Sequence, residues 1–142
     1  MIELPEIETI RRDLDRECAG KRIKDIDVKI ARAVGGASGK TKLVKALDKA
    51  KIEGVSRVGM LIRFDFDNEQ SLLVDLGTGG QLLRTANKDE VHKRTALILG
   101  FTQHGQVRLV DMEADASVSL HETEHIIDDR PELAELGFDP IE

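Results

Sequence analysis

The 142 residues suit one domain with a real hydrophobic core, and the 40% apolar content includes no stretch long enough to span a membrane. A single cysteine, Cys18, excludes an internal disulfide and any multi-cysteine zinc site, and fits a reducing, cytoplasmic setting. The 21 Lys plus Arg stand against 27 Asp plus Glu, for a net charge of −6, and the four Phe have no Trp or Tyr beside them; few cations or rings are on offer to nucleic acid.

The amino end does not read as a signal peptide, since Glu3, Glu6 and Glu8 stand where positive charge is needed. Ile7, Ile10, Leu14 and Cys18 recur at helical spacing with charged residues on the other faces. Pro5 suits a first turn and Gly20 a stop, so residues 4–19 are expected to form an amphipathic helix. Ile26, Val28 and Ile30 alternate with Asp25, Asp27 and Lys29, as in a half-buried strand. Gly35 to Gly39 reads as a loop, and Leu43, Val44, Leu47 and Ala50 mark a second, Lys-rich helix near 40–50.

From residue 52 onward the pattern is that of strands. Met60, Ile62, Phe64 and Phe66 alternate with Leu61, Arg63, Asp65 and Asp67, which predicts one shared sheet face for the first four. Asp67-Asn68 starts a turn, Ser71–Leu76 returns, Gly77-Thr78-Gly79-Gly80 turns again, and Gln81–Arg84 continues. Thr95–Phe101 and Gln106–Val110 form a hairpin around His104-Gly105. Two helices with seven or eight short strands point to a mainly β fold, a two-layer sandwich or barrel with helical flanks.

Three short patterns invite chemistry. Gly35-Gly36-Ala37-Ser38-Gly39-Lys40-Thr41 approaches a phosphate loop, but the first required glycine falls on Val34, so a flexible turn is the plainer reading. His121-Glu122-Thr123-Glu124-His125 matches H-E-x-x-H, a zinc motif that works only on a helix. The alternation of Val118 and Leu120 with Ser117 and Ser119 predicts an extended approach instead, and hence a solvated acidic loop with no metal. Glu3, Glu6 and Glu8 at a helix start stabilise its dipole.

A longer likeness runs through the whole chain in order. It begins with Met1-Ile2-Glu3-Leu4-Pro5-Glu6-Ile7-Glu8-Thr9-Ile10-Arg11-Arg12 and continues with Gly20-Lys21-Arg22-Ile23. It runs on through Val55-Ser56-Arg57-Val58-Gly59-Met60-Leu61-Ile62 and Leu76-Gly77-Thr78-Gly79-Gly80-Gln81-Leu82, and closes with Leu136-Gly137-Phe138-Asp139-Pro140. These segments resemble the N-terminal domain of the Fpg/Nei family, the formamidopyrimidine-DNA glycosylases and endonuclease VIII. The resemblance implies a two-sheet antiparallel β-sandwich with two flanking α-helices, and base-excision repair of damaged DNA.

In that family the secondary amine of an N-terminal proline attacks the sugar carbon bearing the damaged base. A Schiff base forms and strand cleavage follows. Glu3 matches the acidic partner of that step, whereas Ile2 stands at the proline position and the amine falls on Met1. The family's hairpin lysine corresponds to Met60 and its histidine before the Leu-Gly turn to Asp75. Its intercalating wedge corresponds to Thr78. An Arg-Arg loop falls on Met112-Glu113-Ala114-Asp115-Ala116-Ser117, and His92 matches a Lys/His-rich segment. The family's helix–two-turn–helix and zinc-finger domains fall outside these residues, so 1–142 is expected to be a single domain.

The expected function is a non-catalytic interaction module with no cofactor. Its partner would be a protein or a small molecule, with DNA binding weak or absent and no membrane. Two alternatives stand beside it. One is a glycosylase/AP lyase, as the front end of a longer or split enzyme; the other is small-molecule chemistry in a pocket at Met1 and Glu3.

Overall fold

A computed structural model describes residues 4–135. The first helix, α1 (Leu4–Cys18), forms where the apolar spacing requires it, with Ile7, Leu14 and Cys18 buried. Gly20 follows at φ +87° and donates its N–H to the Ile52 carbonyl at 2.7 Å, which stops the helix and ties it to the sheets. The chain continues as β1 (Ile23–Val28), a 3-10 turn at Ala31–Val34, α2 (Gly36–Leu47) and β2 (Ile52–Val58). Then come β3 (Leu61–Phe66), β4 (Gln70–Asp75), β5 (Gly80–Thr85), β6 (Thr95–Phe101), β7 (Gln106–Asp111) and β8 (Ser117–Glu122).

The strands pair into two four-stranded antiparallel sheets, ordered β1-β6-β7-β5 and β2-β3-β4-β8. Their facing sides hold Phe64, Phe66, Phe101, Leu72, Leu97, Leu99 and Leu109, each buried. Burial of one such side chain contributes about 1.5–3 kcal/mol, so this layer is the main source of stability. Three of the four phenylalanines are therefore core, and none of these three offers a ring to a base. The mainly β, two-sheet sandwich is as expected.

Three local expectations are corrected. Met60 does not share the face of Ile62, Phe64 and Phe66. It sits with Gly59 in the β2–β3 turn and is exposed, because Val58 and Leu61 already pair across that turn. The loop expected at 35–39 is largely helix: α2 starts at Gly36, and a Cβ at Gly39 would lie 2.0 Å from the Val34 carbonyl oxygen. Glycine there permits close helix packing instead of cradling a ligand. Finally, the loop expected at His121–His125 is the end of β8 followed by a 3-10 turn at Thr123–His125, a short α3 (Ile126–Asp129) and a 3-10 segment at Pro131–Glu135. Ile126 and Leu133 cover Val58, Leu61 and Leu73 on the outer face of the second sheet, an apolar patch that would otherwise face water. No helix among the described residues is long and apolar enough to cross a membrane.

Candidate nucleic-acid interface

Strand register decides which loops meet. In the second sheet Val58 pairs with Leu61, Ile62 with Val74 and Asp75 with Ser117. The Gly59-Met60 turn, the end of β4 and the start of β8 therefore lie along one end of that sheet. In the first sheet Gly80 pairs with Asp111, which brings the start of β5 and the end of β7 to the same end. Loops 76–79 and 112–116 cross between the sheets there. The Asp111 N–H donates to the Arg94 carbonyl at 2.9 Å, so the exposed run His92-Lys93-Arg94 joins them. Met60, Asp75, Thr78 and His92, scattered in sequence, share one end of the sandwich.

Buried Asp111 organises this end. Its Oδ1 accepts the backbone N–H groups of Asp115 at 3.1 Å and Ala116 at 3.0 Å. Its Oδ2 takes the half-exposed Arg32 guanidinium at 2.7 Å. Asp115 faces Thr78 and accepts its N–H at 3.1 and 3.2 Å and its hydroxyl at 2.7 Å. These donors, the hydroxyl first, hold the Asp115 carboxyl below the usual carboxylate range, and Arg32 helps. Asp75 Oδ1 accepts the Gly77 N–H at 2.8 Å. The His92 Nδ1 accepts the Arg94 N–H at 2.9 Å.

A second charged cluster fixes α1 beside the Gly59-Met60 turn. Glu8 pairs with Arg11 at 2.5 Å, Arg57 at 3.1 Å and Arg12 at 3.3 Å, while Arg57 Nη1 donates to the Gly59 carbonyl at 3.3 Å. Hydrogen bonding from Arg11, then from Arg57 and Arg12, outweighs desolvation and lowers the Glu8 carboxyl to about 2. Glu8 is thus more than a dipole-stabilising group. Sequence reasoning missed Arg32, Arg57 and Asp111; of these, only Arg57 sat inside a segment that carried the family resemblance. Met1, Ile2 and Glu3 lie outside the described residues, as does Leu136-Gly137-Phe138-Asp139-Pro140.

H-E-x-x-H does not form a helical ligand pair. His121 is on β8, buried, with Nδ1 bonded to Asp129 and Nε2 to Ser119, both at 2.8 Å. His125 is exposed and pairs with Glu122 at 2.7 Å. Glu122, Glu124 and His125 bring ligand atoms within 4.8 Å of one another on the surface, and buried His121 has no nitrogen left to join them.

A profile described as the formamidopyrimidine-DNA glycosylase N-terminal domain matches residues 1–116. The chain is 30% identical over 142 residues to a formamidopyrimidine-DNA glycosylase of Desulfitobacterium hafniense, covering all of this chain and 51% of the relative. A second, from a Nocardioides species, is 34% identical over 146 residues, covering all of this chain and 49% of the relative. The chain thus spans about half the length of the curated relatives it matches. Among solved structures, the Lactococcus lactis Fpg in complex with abasic-site DNA superposes with a TM-score of 0.85 at 27% identity, over 92% of this chain and 47% of that one. Another structure of the same protein holds a FAPY-dG-containing DNA, with the same TM-score of 0.85.

These findings overturn the expectation of weak or absent DNA binding, since the L. lactis relative that shares this fold, at 27% identity, is solved with DNA. Net charge is a sum over the molecule and does not place its charges. Glu53, Asp65, Asp67 and Glu69, with Arg63, line a groove at the far end of the second sheet, whereas Arg32, Lys93 and Arg94 stand at the Thr78 end among Asp75, Asp111, Glu113 and Asp115. With residues 1–116 matched by the family profile and 30% identity to a member along the whole chain, this chain belongs to the formamidopyrimidine-DNA glycosylase (Fpg) family, of which it carries the N-terminal domain.

Proposed function

We propose that this chain engages duplex DNA carrying a damaged or abasic nucleotide, and that it does so without the family's amine-based lyase chemistry. The observation that carries the reading is the convergence of the Gly59-Met60 turn, loop 75–79, turn 112–116 and His92-Lys93-Arg94 on one end of the sandwich. In this reading Arg32, Lys93 and Arg94 neutralise phosphates, and exposed Met60 and Thr78 lie against the duplex. Asp75 contributes through the loop it shapes, and His92 through its neighbours.

The reading without lyase chemistry rests on residue type. Ile2 stands where the family has its nucleophilic proline, and isoleucine cannot supply a secondary amine whatever precedes it. Glu3, the proton partner, then has no such amine to serve. Met60 in place of a lysine removes a further phosphate contact.

Fluorescence anisotropy on a labelled duplex with an abasic-site analogue tests the binding. Each phosphate contact adds about 0.9 to the log–log salt slope, so three cations give a slope of about −2.7 between 50 and 200 mM salt, to order of magnitude. The double variant K93A/R94A should reduce it by about 1.8. No binding at low salt, or binding indifferent to that double change, contradicts the reading.

A further inference from the structure

Loop 76–79 presents donors to an anion that the protein itself supplies. The Thr78 N–H and hydroxyl both point to the Asp115 carboxylate, and Gly77 is at φ +62°. A Cβ at Gly77 would lie 2.2 Å from Asp115 Oδ1, so the carboxylate lies directly on the loop backbone. Thr78 and Asp115 are both exposed. The turn that carries Asp115 is held from beneath, since buried Asp111 accepts the backbone N–H of Asp115 and of Ala116. The side chain can therefore swing away without unravelling its turn.

A carboxylate and a phosphodiester present the same face to such donors: two anionic oxygens that accept N–H and O–H bonds. We propose that the Thr78 amide and hydroxyl form a seat for a DNA backbone phosphate, and that Asp115 occupies it as an intramolecular stand-in that DNA must displace. The inference rests on the DNA-binding reading above. Arg32 stands beside the seat; its charge acts on Asp115 while its guanidinium is anchored on Asp111. It would stabilise an incoming phosphate as it now stabilises Asp115. Closed, the seat presents negative charge to DNA; opened, it adds one contact.

The test uses the 142-residue chain as wild type, Asp115→Ala and Glu113→Ala; the last removes a neighbouring charge without opening the seat. In the first arm, inorganic phosphate is titrated against the backbone amide resonances. The Thr78 amide should shift saturably in Asp115→Ala and stay still at the same concentrations in wild type. In the second arm, Asp115→Ala should gain more affinity for the abasic-site duplex than Glu113→Ala, which relieves only like-charge repulsion; the seat is made of neutral donors, so the comparison is read in affinity and not in salt slope. A Thr78 amide that ignores phosphate in Asp115→Ala overturns the seat. An amide that responds, with Asp115→Ala gaining no more DNA affinity than Glu113→Ala, overturns its use by DNA. Failure of every variant to bind DNA at low salt sinks the parent reading instead, and the phosphate arm then judges the seat alone.

Discussion

Replacing Asp111 by alanine should loosen the whole Thr78 end of the sandwich, because one buried carboxylate holds three partners there. Two of them are backbone N–H groups, of which that of Ala116 is buried. Each orphaned donor costs about 1–2 kcal/mol when water cannot reach it. The Arg32 pair adds no more than about 1 kcal/mol, since the guanidinium is half exposed and rehydrates. With the Asp115 N–H only partly buried, the total is about 2–4 kcal/mol. At about 2–4 °C per kcal/mol for a chain of this size, Tm should fall by about 4–16 °C. Urea unfolding followed by far-UV circular dichroism reads this directly, as the chain has no Trp or Tyr to report by fluorescence. Asp111→Asn keeps the Oδ1 that accepts both N–H groups and loses only the Oδ2 pairing with Arg32, so it should cost no more than about 1 kcal/mol. An alanine variant that loses less than about 1 kcal/mol, or an asparagine variant equal to it, would refute the assignment of Asp111 as the organiser of these loops.

Glu8→Gln should cost about 1–2 kcal/mol at pH 7, a figure reduced for the partial exposure of the carboxylate. The folded carboxyl titrates near 2 against an ordinary 4.5, so its contribution is full above about pH 4.5 and fades as pH falls to 2. Urea midpoints of wild type and variant should converge at the acid end; a gap independent of pH contradicts the ion-pair account. Gly39→Ala should destabilise by about 1–3 kcal/mol despite alanine's better helix propensity, because its Cβ meets the Val34 carbonyl oxygen at 2.0 Å. A stabilised variant would show that this approach is not tight. His121→Ala should free α3, and limited proteolysis should then cut within residues 123–131 faster than in wild type; equal rates would mean that Ile126 and Leu133 hold the segment unaided.

Much of the fold was legible because a single periodicity ruled each element. Ile7, Leu14 and Cys18 set α1, and the alternation through Ile62, Phe64 and Phe66 set β3. Boundaries failed where the deciding contact is tertiary. Gly35 to Gly39 read as a loop by composition, yet α2 starts at Gly36, and the close approach to the Val34 carbonyl requires glycine at 39. Met60 kept the β3 rhythm although the β2–β3 pairing ends at Leu61. The outer cover made by Ile126 and Leu133 was invisible because the need for it arises only once Val58, Leu61 and Leu73 share a face. At the site, the family resemblance picked out the loops, but nothing local joins Thr78 to an Asp115 thirty-seven positions away. Charge was the poorest guide, since its sign was read for the whole chain and its action is local.

Borohydride trapping on abasic-site DNA tests the central claim, binding without lyase chemistry, most directly. It should be run on samples in which anisotropy already shows the DNA bound, so that an absent adduct does not reflect an absent complex. An ordinary terminal amine titrates at about 7.7–8.0, so protonation alone does not forbid an imine at neutral pH. What is missing at the proline position is a secondary amine, and Met60 supplies no cation to hold the sugar phosphate. The expected result is a saturable, salt-sensitive complex from which borohydride recovers no covalent species. A stoichiometric reduced adduct mapping to residue 1 or 2 would contradict it and make the chain a working lyase.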